Sequence, residues 1–352
     1  MDYIIKQIKK WMDSWNINFL LGSWLSKPLL WTLQNIELNL TDAENNNNTS
    51  EIERLKKEYF TECMIWNIKV IDEESDSDKE LTLENYKEFY KVINNILLKR
   101  ENSILTKQIN IFTTNIDILS EKALEDTWLE YNDWFHWKIN PKFDVWNFKK
   151  SIYKKSLHYE NTTEIPIFNI LKIHGSLSWN QDIKNRKIFF DRELKQVKNL
   201  KTTFNLVDYD KLTIVNPKKT KFEDTVLNQY YYDLLRLYSN ELEKENSLLF
   251  VMWFSFADEH IRDLTLRVAN SNPTLKIYIF SHSPRKEPWT ENINDLLLVK
   301  LENNAKNKNI ELIFPEWEKR YNFKTIIDDI FKKIVPFKEN ELLNDNNIEN
   351  DW

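Results

Sequence analysis

The chain has 352 residues, of which 41% are hydrophobic and 30% are charged, and its formal net charge is −6. This length suits one large α/β domain with insertions or two domains, and the acidity argues against a general nucleic-acid binder, because phosphate affinity requires clustered Lys and Arg. The single cysteine, Cys63, excludes intrachain disulfides and a cysteine-rich zinc site, and it is consistent with a reducing cytoplasm. No apolar run approaches the ~20 residues of a membrane span, and no signal-peptide pattern opens the chain.

Glycine and tryptophan occur in unusual numbers. The chain has 2 glycines and 14 tryptophans, whereas average usage predicts about 25 glycines in a chain of this length. Several tryptophans stand in turn-like sequence, where the backbone needs a positive φ angle or a close approach to a ligand, and glycine is the residue that allows both. We therefore interpret these tryptophans as glycines, mistranslated from a genome in which the UGA codon encodes glycine. The positions concerned are Trp24, Trp134, Trp137 and Trp253.

The predicted elements are short apolar strands separated by helical stretches. Most strands are continuously apolar, which is typical of parallel strands covered on both faces, and residues 222–245 have apolar residues at helical spacing. This alternation predicts a Rossmann-like, doubly wound α/β fold with a mainly parallel sheet, in which ligands bind beyond the carboxyl ends of the strands. The predicted strands are 18–23, 109–115, 168–175, 211–217, 247–256, 275–281 and 310–315.

Two insertions and a tail accompany this pattern. Residues 41–100 are predicted as a helical insertion, and residues 121–160 as a second insertion of loops and helix. Residues 336–352 are acidic and are predicted to form a flexible tail. The domain is therefore expected to span residues 1–335.

The segment LGSWLS (21–26) is the first candidate site. A strand that ends in small residues before a helix start presents backbone N–H groups to phosphate, here at Gly22, Ser23 and Ser26. With glycine in place of Trp24 the segment becomes a phosphate-binding turn. A simple strand-to-helix connection is the alternative, and a genuine Trp24 favours it because the indole would crowd the phosphate.

Two further motifs follow predicted strands. In TTNID (113–117), Asn115 offers an amide for water or a ribose hydroxyl and Asp117 offers a carboxylate; an Asx-type turn is the alternative. In KIHGS (172–176), His174 stands beside Gly175 and has the near-neutral pKa typical of a general base. A structural histidine is the alternative there.

The segment WFSFADEHI (253–261) is the fourth motif. A strand leads into a turn in which Ser255 and backbone amides could contact a ribose or adenine. Asp258 could equally be an ordinary acidic residue at a helix N-terminus. Trp253 again occupies a position that suits glycine.

Taken in this order, the four motifs resemble the sirtuin-like (silent information regulator two-like) NAD-binding domain. The resemblance extends over roughly residues 18–315 and is greatest to the bacterial branch associated with antiphage defence. It places glycine at the four tryptophans named above and adds Trp128 to them, whereas an aromatic residue suits Trp179. Sirtuin deacetylases carry a four-cysteine zinc site that one cysteine cannot build, so the resemblance implies neither acyl-lysine binding nor zinc, and we predict no metal site.

The resemblance implies an NAD⁺ glycohydrolase that depletes NAD⁺ after infection. Asn115 would position water or the ribose, His174 would activate that water or a ribose hydroxyl, and Asp117 would bind near the carboxamide or order its loop. Phosphate and ribose would lie against the LGSWLS turn, and the adenosine end against Ser255 and Asp258. The full set assigned to NAD⁺ binding is Gly22, Ser23, Trp24, Ser26, Thr114, Asp117, Gly175, Trp253, Ser255 and Asp258.

Other functions remain open at this point. A nucleotide-binding sensor or scaffold without catalysis is favoured if the tryptophans are genuine, and ADP-ribosyl transfer or deacylation is a third interpretation. We expect a cytoplasmic protein with NAD⁺ as its substrate and, as candidate partners, a defence protein or further copies of the chain. We expect no membrane and no direct nucleic-acid site.

Overall fold

A computed structural model of the protein describes residues 2–30, 36–102, 104–136, 139–157, 160–182, 187–216, 229–284, 293–316 and 319–334. Trp137, residues 222–228 of the predicted helix and the predicted tail at 336–352 lie outside the described residues. Within these ranges no helix is long and apolar enough to cross a bilayer.

The described residues form a large parallel sheet, a smaller antiparallel sheet and a two-stranded antiparallel sheet. The strands are β1 (Asn16–Leu21), β2 (Gln108–Thr113), β3 (Tyr131–Asn132), β4 (Phe135–His136), β5 (Lys142–Phe143), β6 (Ile152–Lys155), β7 (Thr162–Ile165), β8 (Ile167–Lys172), β9 (Gly175–Asp182), β10 (Lys187–Phe190), β11 (Leu212–Ile214), β12 (Ser247–Met252), β13 (Leu275–Phe280) and β14 (Ile310–Ile313).

Helices alternate with many of these strands along the chain. They are α1 (Asp2–Ser14), α2 (Ile36–Asn45), α3 (Thr49–Tyr59), α4 (Trp66–Ile71), α5 (Ser77–Leu98), α6 (Leu119–Asp126), α7 (Lys195–Thr202), α8 (Leu206–Tyr209), α9 (Gln229–Glu243), α10 (Glu259–Ser271), α11 (Ile293–Asn304), α12 (Phe323–Ile326) and α13 (Lys332–Ile334), with 3-10 turns at Ser23–Ser26 and Val145–Asn147 and π-turns at Phe60–Met64 and Ile327–Phe331.

The central sheet has seven strands in the order β14-β13-β12-β1-β2-β8-β3, and its neighbouring strands run parallel. Alternate residues of each strand face opposite hydrophobic clusters: Phe250 belongs to the cluster that includes α1 and α5, whereas Val251 belongs to the cluster that includes α9 and α10. Both faces of the sheet are therefore covered, which explains why its strands are apolar throughout. This arrangement confirms the predicted doubly wound α/β fold.

Two parts of the chain differ from the sequence-based prediction. The run at 211–217 does form a strand, but β11 pairs antiparallel with β9 in a second sheet ordered β11-β9-β10-β5-β4. A short apolar run cannot reveal the direction of its partner, which explains the difference. The stretch predicted as loops and helix contains α6 followed by short strands, because its β-branched and aromatic residues pair locally in antiparallel hairpins.

The chain reverses its direction of winding next to β1. From β1 the chain continues to β2 and β8 on one side, and it later returns to β12 on the other side. The register pairs Leu21 with both Met252 and Thr113, and it pairs Thr113 with Lys172. Four adjacent strands therefore end at one level, and the gap between the ends of β1 and β12 is the switch point at which open α/β sheets bind ligands.

Candidate functional site

The turn after β1 depends on a glycine for steric reasons. The Gly22 N–H donates to the Met252 carbonyl at 3.0 Å. A Cβ added at Gly22 would lie 2.0 Å from the Trp253 carbonyl oxygen and 2.9 Å from the Phe254 Cα. Only glycine lets the two chain segments beyond β1 and β12 approach this closely.

Asn115 occupies the end of β2 beside this turn. Its amide Nδ2 donates to the Gly22 carbonyl at 3.2 Å and to the Ser26 Oγ at 3.3 Å, and its backbone N–H donates to the Thr113 Oγ1 at 3.0 Å. The residue is 7% exposed, and its Oδ1 accepts no hydrogen bond from the described part of the chain. A buried acceptor without a partner is costly to the fold, so this oxygen is suited to a substrate hydroxyl or a water molecule.

Ser26 connects this amide to a carboxylate and a tyrosine. The Ser26 Oγ donates to the Asp117 Oδ2 at 2.6 Å and lies 3.1 Å from the Tyr86 hydroxyl oxygen. Burial first and the Asp117 carboxylate second raise the pKa of Tyr86 well above its ordinary value, so the phenol keeps its proton. The other Asp117 oxygen accepts the Leu119 N–H at 3.1 Å, which holds the start of α6 in place.

The buried Lys172 holds the TTNID segment in place. The Lys172 Nζ donates to the Asp117 carbonyl and to the Ser176 Oγ, and it lies 2.7 Å from the Glu121 carboxylate. Burial raises the pKa of Glu121 even though Lys172 opposes the shift. These contacts fix the TTNID segment, and they involve Lys172 and Glu121, which the sequence analysis did not select.

His174 follows β8 at the same end of the sheet. Its carbonyl accepts the Val215 N–H at 2.9 Å, and it is 6% exposed. Gly175 has a φ of +79°, and a Cβ there would lie 2.2 Å from the Thr213 carbonyl oxygen. Glycine is thus required next to the histidine both for its backbone angle and for the close approach of β11.

Asp258 and His260 approach the His174 ring from the segment after β12. The His174 Nε2 lies 3.9 Å from the Asp258 Oδ2, and the two histidine ring centroids are 5.9 Å apart. The potential metal-ligand atoms of these three residues all lie within 4.8 Å of one another. From the sequence, Asp258 was assigned to the adenosine end and His260 was not selected, so this convergence was missed.

A narrow cleft opens between the ends of β1 and β12. Its volume is about 130 Å³, whereas pockets for small molecules commonly measure roughly 300–1,000 Å³. The Trp24 and Trp253 rings stack across it with centroids 5.8 Å apart and planes 6° apart. Six residues predicted from the sequence line the cleft: Ser23, Trp24, Thr114, Trp253, Ser255 and Asp258.

The predicted site residues therefore fall into three groups: a buried network, the lining of the cleft, and His174. Gly22, Ser26, Asn115 and Asp117 form a buried network behind the cleft, and His174 joins the cleft through Asp258. Tyr59 is half-buried at the end of α3, and burial first, and then Cys63, Asp258 and Asp117, raise its pKa. Tyr59 and Tyr86 were not found from the sequence, because an aromatic residue at helical spacing is usually a core residue.

Three of the tryptophans interpreted as glycines have positive φ angles. The values are 55° at Trp128, 74° at Trp134 and 58° at Trp253, in the region that residues with a Cβ seldom adopt. Trp128 is 94% exposed and ends α6, while Trp134 is fully buried and donates its Nε1–H to the Ile170 carbonyl at 2.5 Å. Trp24 lies in the 3-10 turn Ser23–Ser26, where the crowding of the cleft, and not φ, is the feature that suits glycine.

Comparison with protein families gives one match. A family model described as "SIR2-like domain" matches residues 109–313, which is more than half of the 352-residue chain. The match includes the motifs that contain Asn115, His174 and Asp258. No curated protein sequence matches the chain.

Two solved sirtuin structures are similar to the chain. One is a Sir2 protein in complex with the inhibitor EX-527, 2′-O-acetyl-ADP-ribose and a deacetylated p53 peptide; it is 13% identical, with 85% of this chain and 98% of that chain covered and a TM-score of 0.39. The other was solved to explain sirtuin substrate affinity; it is 12% identical, with 92% of this chain and 97% of that chain covered and a TM-score of 0.42.

Proposed function

Because this chain belongs to the family of SIR2-like domains, we propose that it hydrolyses NAD⁺ to nicotinamide and ADP-ribose. The observation that carries the proposal is the buried Asn115 amide. Gly22 and Ser26 hold its Nδ2, and its Oδ1 has no partner among the described residues. An acceptor fixed in this way at the switch point of the sheet can orient a ribose hydroxyl or the attacking water.

The reaction needs one oriented nucleophile and one base. The bond between the ribose C1′ and the nicotinamide nitrogen breaks, and its electron pair leaves with nicotinamide, which is already cationic in NAD⁺ and needs no acid. A water oxygen bonds to C1′, and His174 takes the released proton. Asp258, whose Oδ2 lies 3.9 Å from the His174 Nε2, stabilises the imidazolium that results.

The remaining predicted residues bind the rest of NAD⁺ in this proposal. Backbone N–H groups of the Ser23–Ser26 turn face the pyrophosphate, since the start of a helical turn favours anions. Ser255 lies on the opposite wall of the cleft, towards the adenosine. Asp117, held by Ser26 and by the start of α6, orders the loop that carries Asn115.

We further propose that the native protein carries glycine at the positions of Trp24, Trp128, Trp134, Trp137 and Trp253. The positive φ angles at three of these positions support it, as does the stacking of Trp24 on Trp253 in the space that NAD⁺ would need. Peptide mass spectrometry of the native protein across residues 18–30 and 250–262 tests it directly. Tryptophan masses in both peptides would refute it.

The proposed biological role is antiphage defence by NAD⁺ depletion in the cytoplasm. The resemblance of the four motifs to the antiphage branch supports this role. In this proposal a defence partner protein or self-assembly of the chain controls the activity. Expression in bacteria of the chain with Trp24→Gly and Trp253→Gly, followed by phage challenge, should lower cellular NAD⁺ and phage yield together. The His174→Ala variant should abolish both effects.

The enzymatic test measures NAD⁺ cleavage by a chain without the two stacked indoles and by two histidine variants of it. The chain with Trp24→Gly and Trp253→Gly should release nicotinamide and ADP-ribose from NAD⁺ in equal amounts, as measured by liquid chromatography. His174→Ala should abolish release, whereas His136→Ala, which alters an exposed histidine on β4, should not. Labelled acceptor protein added to the assay should remain unmodified, and modification of it would instead indicate ADP-ribosyl transfer.

One observation favours a second candidate function. With tryptophan at both positions, the stacked indoles leave a cleft of about 130 Å³, which is too small for a dinucleotide. A chain with genuine tryptophans is therefore a nucleotide sensor or scaffold without catalysis. Tight binding of a mononucleotide such as AMP by the chain with both tryptophans, without any nicotinamide release from NAD⁺, would favour this function.

A further inference from the structure

We propose that His174, Asp258 and His260 form a binding site for a divalent first-row transition ion, and that occupation of this site inhibits the enzyme. The inhibitory part rests on the proposed NAD⁺ hydrolysis, because the ion would take the imidazole that serves as the base. The binding part rests on the ligand atoms alone.

The ligand set has the chemistry of a transition-metal site. Two imidazoles and one carboxylate are the ligands that Zn²⁺ and its first-row neighbours take in open, three-ligand sites, where water completes the coordination. Mg²⁺ and Ca²⁺ prefer oxygen ligands, so two nitrogen donors discriminate against them. The sequence spacing brings Asp258 and His260 from one turn, and only the fold adds His174.

The geometry requires a small adjustment. Zinc bonds to nitrogen of about 2.0–2.1 Å place tetrahedral ligand atoms about 3.3 Å apart. The His174 Nε2 and the Asp258 Oδ2 are 3.9 Å apart, and all three ligand atoms lie within 4.8 Å of one another. The ligand atoms must therefore approach one another by at most about 1.5 Å to surround one ion.

The burial of the two histidines favours the binding of a metal ion. His174 is 6% exposed and His260 is 9% exposed, so their charge interactions are less screened than at a surface. Asp258 precedes α10, but its side chain does not cap that helix, and it lines the cleft through which an ion would enter. The site is therefore buried on two sides and reachable on the third.

Direct metal binding tests the site. The full chain, purified without a polyhistidine tag, is titrated with ZnCl₂ by isothermal calorimetry, with MgCl₂ as the comparison ion. The expected result is one Zn²⁺ per chain, no Mg²⁺ binding, and a loss of Zn²⁺ affinity of at least tenfold in His260→Asn. The matched control His136→Asn changes an exposed histidine and should bind as tightly as the unchanged chain.

The activity test uses the same variants. In the Trp24→Gly/Trp253→Gly chain, Zn²⁺ should slow NAD⁺ cleavage, and the His260→Asn variant of that chain should keep its own Zn²⁺-free rate at Zn²⁺ concentrations that inhibit the parent chain and its His136→Asn variant. If His260→Asn does not fold, as judged by circular dichroism, Asp258→Asn replaces it in the calorimetry. Equal Zn²⁺ affinity in the unchanged chain and the ligand variant, or no binding at all, would overturn the proposal.

The two proposals can fail separately. Zn²⁺ binding that depends on His260, in a chain that does not cleave NAD⁺, would support the metal site and reject the hydrolase. A chain that cleaves NAD⁺ in a His174-dependent way but does not bind Zn²⁺ would support the hydrolase and reject the metal site. Inhibition by Zn²⁺ that persists unchanged in His260→Asn would place the inhibitory ion elsewhere and would overturn the site.

Discussion

Buried asparagines occur in two regions of the central sheet, and they differ in how their amides are satisfied. In the middle of the sheet, Asn110 donates to the Asn18 Oδ1 at 2.8 Å and accepts from the Asn169 Nδ2 at 3.1 Å. The Asn18 Nδ2 in turn donates to the Leu248 carbonyl, and the Asn169 Oδ1 accepts from the Asn132 Nδ2. We call these four residues the asparagine ladder, and each of them both donates and accepts.

Asn115 lies on the same sheet, two residues beyond the end of β2, and its amide is satisfied on one side only. Its Nδ2 has two acceptors, but its Oδ1 has no donor in the described part of the chain. A buried polar group without a partner costs roughly 1–3 kcal/mol, and such a cost persists in a fold when the group serves a ligand. The comparison thus separates an amide that holds strands together from one that is available for binding.

The largest expected effect is on catalysis at the sheet end. In the Trp24→Gly/Trp253→Gly chain, Asn115→Ala should lower the rate of NAD⁺ cleavage by about 10³-fold, because the acceptor that orients the reacting groups is lost. The unfolding free energy should fall by no more than about 1 kcal/mol, since Ser26 keeps its contacts with Asp117 and Tyr86. Nicotinamide release and urea denaturation measure the two quantities.

The opposite result is expected at the asparagine ladder. Asn110→Ala removes the partner of two other buried amides and of the Glu241 carboxylate. It should lower the unfolding free energy by about 3 kcal/mol, with the rate per folded molecule unchanged. If instead Asn115→Ala destabilised the fold as much as Asn110→Ala did and left the rate intact, the distinction between the two regions would be lost.

Asn115 could be predicted from the sequence as a site residue, whereas the asparagine ladder could not. Asn115 and His174 could be selected because each follows an apolar strand, and parallel strands bring their carboxyl ends together. The asparagine ladder could not be predicted, since pairing of Asn18, Asn110 and Asn169 depends on strand register. His260 and Tyr86 were missed for a related reason: each lies on a helix, and only the packing of that helix turns the side chain towards the site.

A pH effect is expected at the outer end of the ladder. Asp133 follows Asn132 directly, and burial raises its pKa to about 6, with the Glu121 carboxylate as a smaller cause. Because this pKa exceeds the ordinary aspartate value of 3.8, the folded state holds the proton more strongly. The contribution of Asp133 to stability is therefore complete below about pH 4 and is lost as the pH rises through about 6.

Asp133→Asn isolates that contribution. An asparagine Oδ1 can still accept the Phe135 N–H, which lies 3.1 Å from the Asp133 Oδ1. Between pH 4 and pH 7 the unchanged chain should lose on the order of 1–3 kcal/mol of unfolding free energy relative to the variant. Urea denaturation of both proteins across this range measures the difference, and parallel curves would contradict the assignment.

The smallest effect concerns the turn that leads into the ladder's last strand. The Trp128 N–H donates to the Glu125 carbonyl and the Leu129 N–H to the Leu124 carbonyl, which is the Schellman ending in which glycine takes the left-handed position. Trp128→Gly should therefore raise the unfolding free energy by about 1 kcal/mol. Trp146→Gly is the matched control: Trp146 is also exposed, but it lies in a 3-10 turn and should gain nothing. A gain confined to Trp128 would locate the strain in the backbone angle, as the proposed glycine requires, whereas equal gains at both positions would assign it to the exposed indoles.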